Sequence, residues 1–162
     1  MLALAESVLS ESDTDLLWFL DTSVRVRVAA AEGADGMSVV ECEGPPGHSP
    51  PLHIHHDEDE IFHVIEGVLR LRLGDRELRL AAGDTMLAPM GRPHTFRVES
   101  KGGARWQAIT CNGSFEAFVR EMSRPAKHGG LPPAIAPSAD EQKALAAAAA
   151  RHRIEIIGPP LA

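Results

Sequence analysis

Between Leu16 and Cys111 the chain is written in short runs whose apolar residues fall at every second position, and most runs are stopped by glycine or proline. A period of two puts alternate side chains on opposite faces of an extended strand, whereas a helix needs apolar spacings of three and four. Val24, Val26 and Val28 alternate with Arg25 and Arg27, and Leu69, Leu71 and Leu73 alternate with Arg70 and Arg72. Further strands are expected over residues 37–42, 61–65, 77–80, 85–88, 94–98 and 104–111. The breaks between them are rich in turn formers: Gly33 to Gly36, Gly44-Pro45-Pro46-Gly47 with Pro50-Pro51 beyond, Gly74-Asp75-Arg76, Ala81 to Asp84, and Pro89 to Pro93. Many short strands joined by such turns predict an all-β fold, a barrel or jelly roll.

The last third of the chain changes character. Phe115, Phe118, Val119 and Met122 recur at helical spacing after Ser114. Residues 124–137 carry four prolines and read as a loop or linker. Ser138 and Glu141 form a capping-box pair ahead of an alanine-rich run to Ala150, which predicts a second helix. One more short strand is expected over residues 154–157, with Gly158-Pro159-Pro160 ending the structure. The organisation read from this is a lead-in over residues 1–15, a β-barrel over 16–112, and a helical extension over 113–162 that packs on the barrel.

Length and charge narrow the classes. A chain of 162 residues can bury one sizeable core, and 44% hydrophobic with 24% charged residues is a globular composition. Sixteen Lys and Arg against 23 Asp and Glu leave a net charge of −7, which argues against nucleic acid or an anionic membrane as the main partner. The longest apolar run, Ala144 to Ala150, is far too short to span a bilayer. The N-terminus does not read as a secretory signal, and two cysteines, Cys42 and Cys111, cannot build a disulfide framework. A cytoplasmic home is expected, with both thiols buried as small apolar side chains.

Against this ordinary background there are eight histidines, five of them between His48 and His63. His53 and His55 are two apart, so on a strand they share a face. Two imidazoles side by side in a barrel interior suit a shared metal ion. Glu60 lies five residues on, and the polar run His56-Asp57-Glu58-Asp59 can turn the chain and reset its parity, so that Glu60, Phe62 and Val64 share one face of the next strand. A second stretch, Gly83 to His94, returns His94 through a rigid loop, with Phe96 and Val98 on the same face. Three imidazoles and a carboxylate, with no thiolate, suit one divalent transition metal: Fe, Mn, Co, Ni, Cu or Zn.

These residues carry a resemblance. The pattern G-x5-H-x-H-x4-E-x6-G runs from Gly47 through His53, His55 and Glu60 to Gly67. The pattern G-x5-P-x-G-x2-H-x3-N is met at Gly83, Pro89, Gly91 and His94, with Val98 in place of the asparagine. These are similar to the two motifs of the cupin superfamily, and the flanking strands, helix and Ile-Gly-Pro-Pro ending resemble single-domain bacterial cupins of the quercetin 2,3-dioxygenase-like kind. The resemblance implies a double-stranded β-helix (jelly-roll barrel) with C-terminal helices. It also implies a metal held by His53, His55, Glu60 and His94, a frequent homodimer, and for Glu60 a second role as proton acceptor. Its chemistry is open, because cupins include dioxygenases, isomerases, decarboxylases and non-enzymatic binders.

The remaining histidines are expected to stand aside. His56 and His63 have the wrong parity for the metal, His48 in the Pro/Gly loop is expected to be solvent-exposed, and His128 and His152 are read as surface residues. Asp57-Glu58-Asp59 reads as a solvated turn, and the Phe115 helix as core packing against the barrel. The pocket is expected to be lined by Phe62, Val64, Phe96 and Val98, with Arg70, Arg72 and Arg97 pointing outward. Such a lining favours an aromatic or otherwise apolar small molecule over a sugar phosphate, which would want inward arginines.

Overall fold

A computed structural model of the chain describes residues 16–134 and 136–162. The expected lead-in over residues 1–15 lies outside the described residues. In chain order the strands are β1 (Leu17–Phe19), β2 (Thr22–Val28), β3 (Ser38–Gly44), β4 (Pro51–His55), β5 (Glu60–Glu66), β6 (Val68–Leu73), β7 (Arg76–Ala81), β8 (Thr85–Ala88), β9 (His94–Val98) and β10 (Ala104–Thr110). Helix α1 (Ser114–Met122), β11 (Arg124–Pro125), α2 (Ala139–Arg151) and β12 (Ile154–Pro160) follow. Among the described residues the strands form a seven-stranded sheet, β11-β1-β2-β3-β10-β5-β8, and a five-stranded sheet, β12-β4-β9-β6-β7. Every pairing in both is antiparallel. This is the expected jelly-roll barrel.

The two inner faces meet in a core that the period-two pattern anticipates. Along β5, Glu60, Phe62 and Val64 are buried while Ile61 and His63 are half-buried. Along β6, Leu69 and Leu71 are fully buried. Arg70 pairs with Glu99 at 3.4 Å, and Arg97 donates to the Leu161 carbonyl at 3.3 Å, so these arginines face away from the interior as expected. Val98, where the second motif has asparagine, is buried opposite Leu69 of the neighbouring strand, so a hydrocarbon side chain suits its surroundings. Gly67 closes the first motif at φ +83°, and a Cβ there would lie 2.5 Å from the Gly103 carbonyl oxygen. Both the left-handed backbone and the close approach require glycine.

The C-terminal segment does more than cap the barrel. The capping box forms, with Ser138 accepting from the Glu141 N–H, and α2 buries Leu145, Ala148 and Ala149. The strand after it runs to Pro160, past the residues 154–157 expected, and pairs with β4, the strand that carries His53 and His55. The short β11 and β1 were not visible in the pattern, because two or three residues cannot display a period. Cys42 is buried as expected, but Cys111 is exposed: it sits just beyond the end of β10, where the chain leaves the sheet.

Candidate metal centre

Neighbouring strands bring the four motif residues together. β4 and β9 are antiparallel neighbours, and His53 stands directly across from His94. His55 is two residues further along β4. Glu60 opens β5 in the other sheet and faces them. One ligand atom from each of His53, His55, Glu60 and His94 lies within 4.8 Å of all the others. The rings of His53 and His94 are 4.4 Å apart, and those of His55 and His94 5.3 Å. Glu60 Oε2 is 2.9 Å from His94 Nε2 and 3.4 Å from His55 Nε2.

Each imidazole is held by its other nitrogen. His53 Nδ1–H donates to the Pro51 carbonyl at 2.7 Å and His94 Nδ1–H to the Arg92 carbonyl at 2.9 Å. His55 Nδ1–H meets Glu58 Oε1 at 3.3 Å. A carbonyl oxygen can only accept, so these contacts put the proton on Nδ1. In the neutral rings the Nε2 lone pairs are then free to converge, which is the tautomer a metal requires. The convergence leaves an imbalance: His94 Nε2 and Glu60 Oε2, two acceptors at 2.9 Å, need a proton or cation between them. His55 Nε2 is buried without a hydrogen-bond partner. Donors bound to one ion at about 2.0–2.2 Å lie at most about 4.4 Å apart. Closing this cluster on an ion therefore asks for shifts of only a few tenths of an ångström. The residues fit a divalent metal, and a nitrogen-rich mixed donor set does not choose among the first-row candidates.

Charge follows the same geometry. Burial, with the neighbouring His94 and His55, lowers His53 to about 3, so it stays neutral. Burial alone would raise Glu60, but the neighbouring imidazoles, His94 foremost, outweigh it and bring Glu60 down to about 2. His55 is pulled down by burial and pulled up further by Glu58, Glu60 and Asp57, so it ends above its ordinary value.

Glu58 corrects the expectation of a solvated acidic turn. It is buried, and its Oε1 accepts both from His55 Nδ1 and from the Phe115 N–H at 2.6 Å, in the first turn of α1. The same carboxylate thus orients a ligand imidazole and ties down the helix. Asp57 is half-buried and accepts from the Ser114 hydroxyl at 2.8 Å, and only Asp59 is exposed, accepting from the Met90 N–H at 2.7 Å.

A cavity open to solvent reaches the cluster. His53, His55 and Glu60 line it together with Phe62, Phe96, Trp106, Phe115 and Phe118. Phe62 and Phe96 are where the pattern put them. Val64 and Val98, expected beside them, are buried in the core and do not line the cavity. They share the face but sit further along their strands, past the larger rings. Phe115 and Phe118 of α1 supply cavity wall as well as packing. His48 is a second correction: it is buried, it lines the cavity, and Asp21 Oδ1 accepts from its Nδ1 at 2.7 Å. Its ring lies on an aromatic face formed by Phe96 and Trp106, which only the closed fold brings to it. His56 and His63 do turn outward, bonded to Glu155 and Thr85.

A double-sheeted antiparallel barrel with a three-histidine, one-carboxylate cluster on its inner face is the architecture of a metal-site β-barrel protein. The Cupin domain family profile matches residues 40–110, the stretch holding all four candidate ligands. The chain belongs to the cupin superfamily. It is 30% identical over 115 residues to quercetin 2,3-dioxygenase from Bacillus subtilis, a match covering 71% of this chain and 34% of that one. The chain thus spans about a third of that relative's length. Among solved structures, the polyketide cyclase RemF from Streptomyces resistomycificus superimposes with a TM-score of 0.54 at 22% identity, covering 83% of this chain and 90% of that one. An RmlC-like cupin from Shewanella frigidimarina gives 0.54 at 14% identity, covering 75% and 93%. Both show the shared fold. No helix among the described residues is long and apolar enough to cross a membrane.

Proposed function

We propose that this cupin is a metal-dependent dioxygenase acting on a small aromatic molecule that carries an acidic hydroxyl. The observation that supports this most directly is the continuity of the donor cluster with an aromatic cavity: His53, His55 and Glu60 share one wall with Phe62, Phe96, Trp106 and Phe115. Among the described residues no lysine or arginine lines that cavity, which disfavours a phosphate or sugar acid. The 30% identity to a quercetin 2,3-dioxygenase agrees with the choice of reaction class.

His53, His55, Glu60 and His94 would hold the metal, which when bound supplies Lewis acidity and redox chemistry. The chain's own contribution is to orient and to move a proton. The aromatic walls hold a planar ring and exclude water. Glu60, ionised and within 2.9 Å of His94 Nε2, is the group placed to take the proton from a substrate hydroxyl. A homodimer is carried with this proposal, and light scattering on the purified protein tests it.

The test of the reaction is oxygen uptake by protein loaded with Fe(II), Mn(II) or Ni(II), presented with a panel of flavonols and catechols. Uptake that depends on both metal and substrate is expected. No uptake with any metal sinks the dioxygenase, and a ligand then recovered unchanged makes the protein a non-enzymatic binding cupin.

A further inference from the structure

The cavity has a second polar feature away from the metal cluster. His48 lies in the loop between β3 and β4, and its backbone is paired with Val98: the Val98 N–H donates to the His48 carbonyl at 2.9 Å. Val98 is four residues beyond His94 on β9, about 13 Å along an extended strand. Between the two levels stand aromatic rings. His48 is 5.7 Å from Phe96, Phe96 is 5.7 Å from Phe62, and Phe62 is 6.0 Å from His94, all measured between ring centroids. Trp106 stacks on the His48 ring at 6.0 Å and 21°.

The His48 ring is polarised from one side. Its Nδ1–H donates to Asp21 Oδ1 at 2.7 Å. Nε2 has no hydrogen-bond partner among the described residues, although His48 is buried and lines the cavity. With the proton fixed on Nδ1, the neutral ring offers Nε2 as an acceptor. The Asp21 side chain is 39% exposed against 8% for His48, so the pair also connects the cavity wall to solvent.

We propose that His48, oriented by Asp21, is a second substrate anchor that accepts a hydrogen bond from a phenolic hydroxyl at the end of the ligand remote from the metal. The ligand class is therefore an elongated planar aromatic with polar groups at both ends: one for the metal cluster, one for His48, and an apolar middle for Phe62, Phe96 and Trp106. Asp21 is a positioning residue, because it acts only by fixing the tautomer and angle of the ring. This proposal rests on the aromatic-ligand reading above, but its test does not need turnover.

The test is the binding of a matched pair of probes, 3-hydroxyflavone and 3,4′-dihydroxyflavone, to Zn(II)-loaded full-length protein, followed by quenching of tryptophan fluorescence. The wild type is expected to prefer the dihydroxy probe by roughly tenfold, the worth of one buried hydrogen bond at its upper end. His48→Phe should abolish that preference, His48→Gln should retain part of it, and Asp21→Ala should reduce it. Because His48 is buried, a His48→Phe protein that fails to fold transfers the decision to His48→Gln and Asp21→Ala. Equal binding of the two probes by the wild type overturns the proposal, as does a preference that survives removal of His48, or failure of both probes to bind. A preserved preference without oxygen uptake on Fe(II), Mn(II) or Ni(II) would sink the dioxygenase alone, and uptake without the preference would sink this anchor alone.

Discussion

The two polar ends of the cavity are built on opposite plans. At the metal end, four chargeable side chains from two sheets converge, and two of the three imidazoles are steered by rigid backbone carbonyls, Pro51 and Arg92. At the other end a single imidazole lies on Phe96 and Trp106 and is steered by one half-exposed carboxylate. The first arrangement packs lone pairs against one another and calls for a cation. The second satisfies one side of the ring and leaves the other to a ligand. Backbone anchors hold a geometry whatever the state of nearby side chains, whereas a carboxylate anchor also tunes the charge of the ring it holds.

The largest effect expected on this contrast is loss of metal. A His53→Ala, His55→Ala double variant should carry essentially none by elemental analysis, while a His48→Ala variant should carry the wild-type amount. Full metal in the double variant would overturn the site. Acid should come next, acting at the metal end through His53 and Glu60. Unfolded His53 takes a proton below about 6.5, but the folded residue waits until about 3, so in that window the unfolded state binds more protons and stability falls as pH falls. Glu60 adds the same sign between 4.5 and about 2. His55, raised, contributes the opposite sign, with stability present below 6.5 and lost as pH rises through its folded value. Urea melts of metal-free protein should therefore weaken from pH 6.5 to 3, and a flat profile would contradict the buried neutral His53.

The apolar middle is tested by Phe96→Ala, which should cost about 3–5 kcal/mol in chemical denaturation, as for a large buried ring. Glu58→Gln should weaken metal binding about 10–100-fold in a competition with a chelator, because it loosens the His55 ring without touching the metal. If affinity were unchanged, Glu58 would serve only to fasten α1. The smallest effect is expected at His56→Ala, which removes an ion pair with Glu155 between side chains 41% and 58% exposed, and should alter stability by less than about 1 kcal/mol.

The ligand residues were legible in the sequence because a strand has a strict period. Once His53 and His55 share a face, and the turn after them is granted, the parity of Glu60, Phe62, His94 and Phe96 follows. Glu58 and His48 were not legible for the same physical reason as each other: what buries them comes from afar. Glu58 sits in an acidic run that any local reading would solvate, and its partner Phe115 is 57 residues away. His48 sits among prolines and glycines, and Asp21 lies 27 residues before it. Val64 and Val98 failed in a different way, since parity tells which face a side chain takes but not how deep in the barrel it stands.

The sequence by itself determined an all-β barrel or jelly roll, the helix cap at Ser138 and the four candidate ligands, because period, turn chemistry, motif spacing and capping act between residues close in the chain. Only the tertiary structure decided how those ligands are steered, that α1 forms cavity wall, that β12 flanks the strand bearing His53 and His55, and that one expected surface histidine faces the interior. Each of these depends on which elements become neighbours when the two sheets close, and that choice is made by burial over the whole chain.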